Sequence, residues 1–217
     1  RRSVEESLTR LGLDRLDLLH LHDPEYARDL NEITGKGGAL EELFKLKAEG
    51  LVRAVGLAMG RIDMMFPILR AWPFDALVSH NRMTLVNRSA DAMFDYAHGA
   101  GMAILNAAPF AGGVLAKGSA VMPRLTYQEA SDEALAGIRR IEAICAEYGI
   151  APGAAALQFS MRDPRVTSTI VGVSKPERVQ QVLDWASVSI PQAAWDALAA
   201  LPHDMTDPEA TRTYRAG

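Results

Sequence analysis

Two short stretches hold residues whose types and spacing suit chemistry. The first is Leu18-Leu19-His20-Leu21-His22-Asp23-Pro24. In a strand, alternation puts His20 and His22 on one face and Leu19 and Leu21 on the other. An H-x-H pair at a strand end supplies two metal ligands in barrel metallohydrolases. Such a site needs further ligands from later strand ends. His80, in Ser79-His80-Asn81-Arg82, is one candidate, but no Asp or further His stands at the ends that follow. His98 and His203 fall on a helix and in the tail. The ligand set is incomplete, so His20 is expected to be a barrel-interior residue bonded to a neighbour, and no metal is expected. His22, at the strand mouth, is expected to point into a pocket.

The second stretch is Val171-Gly172-Val173-Ser174-Lys175-Pro176-Glu177-Arg178. Ser174 and Glu177 read as an S-x-x-E capping box, with Pro176 suited to the first turn. A helix N-terminus is partially positive, and each cation there costs ~0.3–1 kcal/mol. Lys175 and Arg178 in such a turn make sense if an anion docks, because backbone amides with Lys and Arg form a phosphate site. The competing reading is two solvated charges partly offset by Glu177. On the local pattern alone that reading is the stronger.

The elements that must position these residues alternate along the chain. Strands are expected at Leu16–Leu21, Leu51–Leu57, Ala76–His80, Met102–Ala107 and Ser168–Val173. Helices are expected around Val4–Leu11, Leu40–Lys47, Met64–Arg70, Ala90–His98, Leu135–Tyr148, Pro152–Phe159, Pro176–Trp185 and Pro191–Leu201. Ser3 and Glu6 suggest a capping box for the first helix, and Gly12 can end it. Pro109–Ala130 reads as a long loop, and the polar tail after Pro202 as poorly ordered. Short apolar strands alternating with helices mean parallel β/α units, α/β in class. An open doubly wound sheet usually shows G-x-G-x-x-G after its first strand, and none is present. The remaining architecture is a (β/α)8 TIM barrel. A full barrel takes about 250 residues, and this chain of 217 residues is expected to supply about the last five β/α units plus a C-terminal helix, as a single domain over 1–217.

Composition narrows the function classes. The formal charge of −4 provides no field for gathering phosphate backbone, so no nucleic-acid partner is expected. No apolar run approaches the ~18 residues of a membrane helix. The single cysteine, Cys145, excludes an internal disulfide and a thiolate cluster. A soluble, cytoplasmic protein is expected.

Over nearly all of the chain, the strand-end motifs resemble the aldo-keto reductases, and within them the sugar-oxidising branch. The segment Ser7-Leu8-x-Arg10-Leu11-Gly12-Leu13-Asp14-x-x-Asp17-Leu18-Leu19-x-x-His22-x-Pro24 is similar to the family's fourth-strand signature. Asn81-Arg82-Met83-Thr84-Leu85-Val86-Asn87-Arg88, Ala107-Ala108-Pro109-Phe110 and Gly172–Val179 complete the set. The resemblance implies that His22 is the active-site histidine orienting the substrate oxygen. It places His80 near the glutamine that contacts the nicotinamide amide, and Ala107 where many members have a ring-stacking tyrosine. Phe110 would cover that ring instead. Ala58 and Met59 stand where many members have Ser-Asn. Gly172, Ser174, Lys175, Arg178 and Gln181 match the segment holding the adenosine phosphates, which favours the anion reading of the helix start.

The implied function is NAD(P)-dependent oxidoreduction at C1 of an aldose or a similar aldehyde or alcohol, with NADP accepted better than NAD. The family also uses a tyrosine, a lysine and an aspartate that lie before the histidine strand. Tyr26, Tyr96, Tyr127, Tyr148 and Tyr214 sit at none of the expected places. An N-terminal part of the barrel is therefore expected, without which this chain is inactive. The alternative from another class is a redox-inactive nucleotide-binding module of the same fold.

Overall fold

A computed structural model describes residues 1–126 and 128–210; Tyr127 and Tyr214 lie outside them. In chain order the elements are α1 (Arg2–Leu11), β1 (Leu16–His22), α2 (Asn31–Thr34), α3 (Ala39–Ala48), β2 (Val52–Ala58), α4 (Ile62–Ala71), β3 (Ala76–His80), α5 (Asp91–Gly99), β4 (Ala103–Ala107), α6 (Val114–Lys117), β5 (Arg124–Leu125), β6 (Gln128–Glu129), α7 (Asp132–Glu147), α8 (Pro152–Arg162), β7 (Ser168–Ile170), α9 (Glu177–Ser187) and α10 (Gln192–Ala199). The five long-range strands form one parallel sheet in the order β1-β2-β3-β4-β7. That order is sequential, as consecutive right-handed β/α units demand.

Burial alternates along these strands. Val55, Leu57, Leu77 and Ile104 face the helices and are fully buried in one cluster with Leu40, Leu43, Leu69 and Phe94. The opposite parity, Val78, His80, Leu105 and Ala107, is only half-buried. The apolar strands are thus more fully covered on the helix-facing side. The concave face is the one that carries the site.

His20 lies on that concave face, across β2. A Cβ placed at Gly56 would sit 2.4 Å from His20 Cδ2 and 3.0 Å from the Ala76 carbonyl oxygen. Glycine is therefore required for the His20 ring to cross the strand. Gly56→Ala is expected to destabilise the fold by about 1–3 kcal/mol through overpacking. In thermal melts, His20→Ala should relieve part of that loss, so the double variant is better than additive. Strict additivity would place the ring elsewhere.

Three sequence expectations are corrected. Neither capping box forms. Ser3 lies inside α1, whose N-cap is Arg1, and α9 starts at Glu177 after Pro176 with no side-chain cap. Gly12 does end α1, at φ 66, with its amide on the preceding carbonyls. The segment 109–130 is not a plain loop. It holds a 3-10 turn at Ala111–Gly113, α6, and the two-residue antiparallel pair β5–β6. The loop start is pinned where the Ser119 amide and hydroxyl donate to the Glu142 carboxylate, at 2.6 and 2.8 Å.

The third correction is the tail, which is ordered as a strap from 203 to 210. The amides of Asp204 and Arg88 exchange hydrogen bonds with Val86 and Asp204 carbonyls, at 2.9 and 2.8 Å. Asn87 Nδ2 donates to the Thr206 carbonyl at 2.8 Å. These anchoring ties reach more than a hundred residues back, so no local pattern announced them.

Candidate functional site at the strand mouths

The C-terminal strand ends form one row. Register pairs His22 with Ala58 and His80 with Ala107, and Ala107 with Ile170. His22, His80 and Ala107 therefore share the mouth, as the sequence placed them. The backbone at this mouth is unusual. Asp23, Asn81, Ala108 and Ala111, all non-glycine, have φ between 47 and 59. A left-handed residue costs ~1–2 kcal/mol, and such strain gathers at functional sites.

His22 is the open member of the row, its side chain 75% exposed and its Nε2 3.6 Å from Asp23 Oδ1, too far for a hydrogen bond. Both ring nitrogens are thus available to a ligand. His20, one pleat deeper, is half-buried, and its Nε2 has no partner, in contrast to the expected bond to a neighbour. Burial, then the proximity of His22, lowers its pKa, so it is held neutral. Among the described residues, no three His, Cys, Asp or Glu side chains converge to hold a metal. Cys145 is buried, which raises its thiol to about 11 and makes it a poor nucleophile.

His80 is held by the C-terminal strap. Its Nε2 lies 3.3 Å from Glu209 Oε2. Arg82, fully buried, donates to Glu209 Oε2 at 3.0 Å, to Asp207 Oδ1 at 2.9 Å and to the His80 carbonyl at 2.9 Å. Asp207 also accepts from the Ile62 amide at 2.9 Å. Burying one guanidinium with two carboxylates is tolerable because each charge is paired and hydrogen-bonded. Contact with His80 first, then with Arg82, holds the Glu209 carboxyl down at about 2 despite burial. A carboxyl whose folded pKa lies below its unfolded one stabilises above the unfolded value and loses that stability as pH falls. Glu209→Gln is therefore expected to melt below the parent at neutral pH. The gap should narrow as pH falls from 4.5 to about 2. A gap that stays constant across that window would contradict the pairing.

Glu25, just past β1, was not anticipated. Its Oε1 accepts from the Gly60 amide, tying the β1 mouth to the β2 mouth. Its Oε2 is buried without a partner, and burial raises its pKa. No spacing rule marks a lone Glu with a backbone partner so far along the chain.

Phe110 meets Trp185 edge-on, with ring centroids 5.7 Å apart, between the β4 mouth and α9. The approach of α9 to α8 requires Gly153, where a Cβ would sit 2.4 Å from the Trp185 ring. Gly172, Ser174, Lys175 and Gln181 are exposed around the start of α9, and Arg178 is half-buried. Lys175 precedes the helix, its carbonyl accepting from the Arg178 amide at 3.0 Å. Only Arg178 and Glu177 occupy the first turn. Among the described residues, neither Lys175 nor Arg178 has an ion-pair partner.

A parallel β/α sheet with a histidine at one strand mouth and free cations after its last strand has the layout of the β/α-barrel class, which often takes phosphate groups at that end. The chain belongs to the aldo/keto reductase family, whose pattern matches residues 1–202. It is 35% identical over 205 residues to the D-threo-aldose 1-dehydrogenase of a Pseudomonas species, covering 92% of this chain and 60% of that protein. It is 31% identical over 205 residues to the pyridoxal 4-dehydrogenase of Microbacterium luteolum, covering 91% of this chain and 60% of that one. The chain thus spans about 60% of the length of the curated relatives it matches. An aldo-keto reductase from Bacillus halodurans in its holo form superposes with a TM-score of 0.73 at 16% identity, over 98% of this chain and 67% of that one. Together these give the (β/α)8 barrel as the parent fold. No helix among the described residues is long and apolar enough to cross a membrane.

Proposed function

We propose that the protein is an NAD(P)-dependent oxidoreductase acting at C1 of an aldose or a similar aldehyde or alcohol. The observation that carries this reading is the pair Lys175 and Arg178, unpaired cations at the start of α9, in a chain that matches the family over residues 1–202. Two cations at a helix start, with no ion-pair partner among the described residues, suit the phosphates of a dinucleotide. Gly172, Ser174 and Gln181 complete that cradle, with His80, Ala107 and Phe110 toward the nicotinamide end. When bound, the cofactor supplies the hydride chemistry. His22 hydrogen-bonds the substrate oxygen and orients the reacting carbon. Glu209 and Arg82 keep His80 fixed, and Glu25 keeps the β1 and β2 mouths in register.

The test uses the protein as its gene encodes it. Reduced and oxidised NADP and NAD are titrated by fluorescence, and turnover is followed by nicotinamide absorbance with a panel of aldoses and aldehydes. Saturable binding with turnover on that panel is the expected result. Binding without turnover supports the redox-inactive nucleotide-binding module instead. No binding of either dinucleotide overturns both readings.

A further inference from the structure

A cleft of about 550 Å³ opens between the end of α8, α10 and the segment 83–91. It shares no residue with the strand mouths. Its size suits a small organic ligand. The floor is apolar: Met83, Leu85 and Leu198 are buried there. Six charged side chains line it, and they divide sharply by pairing. Arg165 is tied to Asp91, Asp95 and Asp163 at 2.6–2.8 Å. Asp196 accepts from Gln192 at 2.8 Å. Arg88 and Arg162 have no acidic partner among the described residues.

Both of these arginines are nonetheless held in place. The Arg162 Cζ sits over the Trp195 ring, 4.4 Å from its centroid. Arg88 lies over Phe159 at 5.1 Å, and its own amide is bonded to the Asp204 carbonyl at 2.8 Å. A guanidinium stacked by its face keeps its N–H edge for a ligand, and that edge matches a carboxylate. Arg88 Nε is buried and unpartnered. A buried donor left unmet costs ~1–3 kcal/mol. The charge of Arg88 is felt nearby: after burial, it is the next cause that lowers the pKa of His203.

We propose that this cleft is a binding site for a small aromatic carboxylate. The carboxylate takes the edges of Arg88 and Arg162, and the ring lies on the apolar floor beside Trp195. The site is independent of the proposed redox function, since the cleft contains none of the residues assigned to it.

The probe is benzoate, titrated by calorimetry into the full protein, with neutral benzamide as control. Benzoate is expected to bind saturably, and benzamide more weakly. Arg162→Gln and Arg88→Gln should each loosen benzoate about tenfold, while His22→Ala leaves it unchanged. Arg88 is half-buried, so its variant is accepted only with an unchanged melting temperature; Arg162 is exposed, and Arg162→Gln with Arg162→Lys decides the matter if Arg88→Gln does not fold. Arg162→Lys keeps the charge but loses the flat fork, and should also weaken binding. Non-saturable binding, equal binding of benzamide, or benzoate affinity untouched by the Arg162 variants overturns the proposal. So does loss of binding in His22→Ala, which would move the ligand to the strand mouth.

Discussion

On the proposed function, replacing His22 with alanine in the protein as its gene encodes it is expected to lower kcat/KM by ~10²-fold or more, the scale of a group that acts on the reacting oxygen, while leaving the melting temperature nearly unchanged. The two halves of this expectation come from one fact. The His22 side chain is 75% exposed and makes no hydrogen bond among the described residues. Exposed side chains of this kind change stability by only about 0.5 kcal/mol when removed, and no packed neighbour is left over a cavity. On the proposed function, that histidine orients the substrate oxygen at this mouth. Its neighbour His20 gives the contrast. Packed across Gly56 and half-buried, it should affect melting more than His22 does. Dinucleotide affinity should change far less than turnover in His22→Ala, because the phosphate end of the cradle lies at the far end of the sheet row and only its nicotinamide end shares the mouth with His22. If turnover and affinity both stay unchanged, His22 has no part in the reaction.

The row of strands was legible because its signal is local. Apolar runs of five to seven residues between helices mark buried strands whatever they pair with, and β3 falls at Ala76–His80 as read. His22 and His80 were legible for the same reason, since a strand's end and parity place its side chains. What could not be read depends on distant partners. Arg82 is an unremarkable cation in Asn81-Arg82-Met83 until Asp207 and Glu209 arrive from the far end of the chain. Glu25 becomes a mouth residue only through the Gly60 amide. The capping boxes failed for a different reason. S-x-x-E is necessary for the motif but does not oblige the helix to start there. Pro176 is already in the helical region at φ −55 and ψ −40, so the chain enters α9 past Ser174, with the start set by the route from β7. Polar residues after Pro202 were read as loose because the partners that anchor them, Val86, Asn87 and Arg88, lie more than a hundred residues back.

Arg178→Ala is expected to raise the Kd for NADP about tenfold while barely changing that for NAD. Arg178 is in the first turn and Lys175 is before it, so the two cations meet different parts of a ligand. The first turn of a helix is unfavourable for a cation by ~0.3–1 kcal/mol. Glu177 beside it offsets that cost, and because no capping bond draws the Glu177 carboxylate back, it stays as a local negative charge. Arg178 thus remains half-buried beside an acid, without an ion-pair partner among the described residues. A 2′-phosphate carries close to two negative charges at neutral pH, and a guanidinium holds such a group bidentately. A charged hydrogen bond is worth ~1.5–3 kcal/mol; solvent at this open helix start brings the expected loss to the lower part of that range. Lys175, a point charge ahead of the helix, should serve the phosphates common to both cofactors, so Lys175→Ala weakens NADP and NAD alike. Parallel titrations of the two variants separate these roles. Equal weakening of both cofactors by Arg178→Ala would place Arg178 on the shared pyrophosphate and remove the basis for an NADP preference.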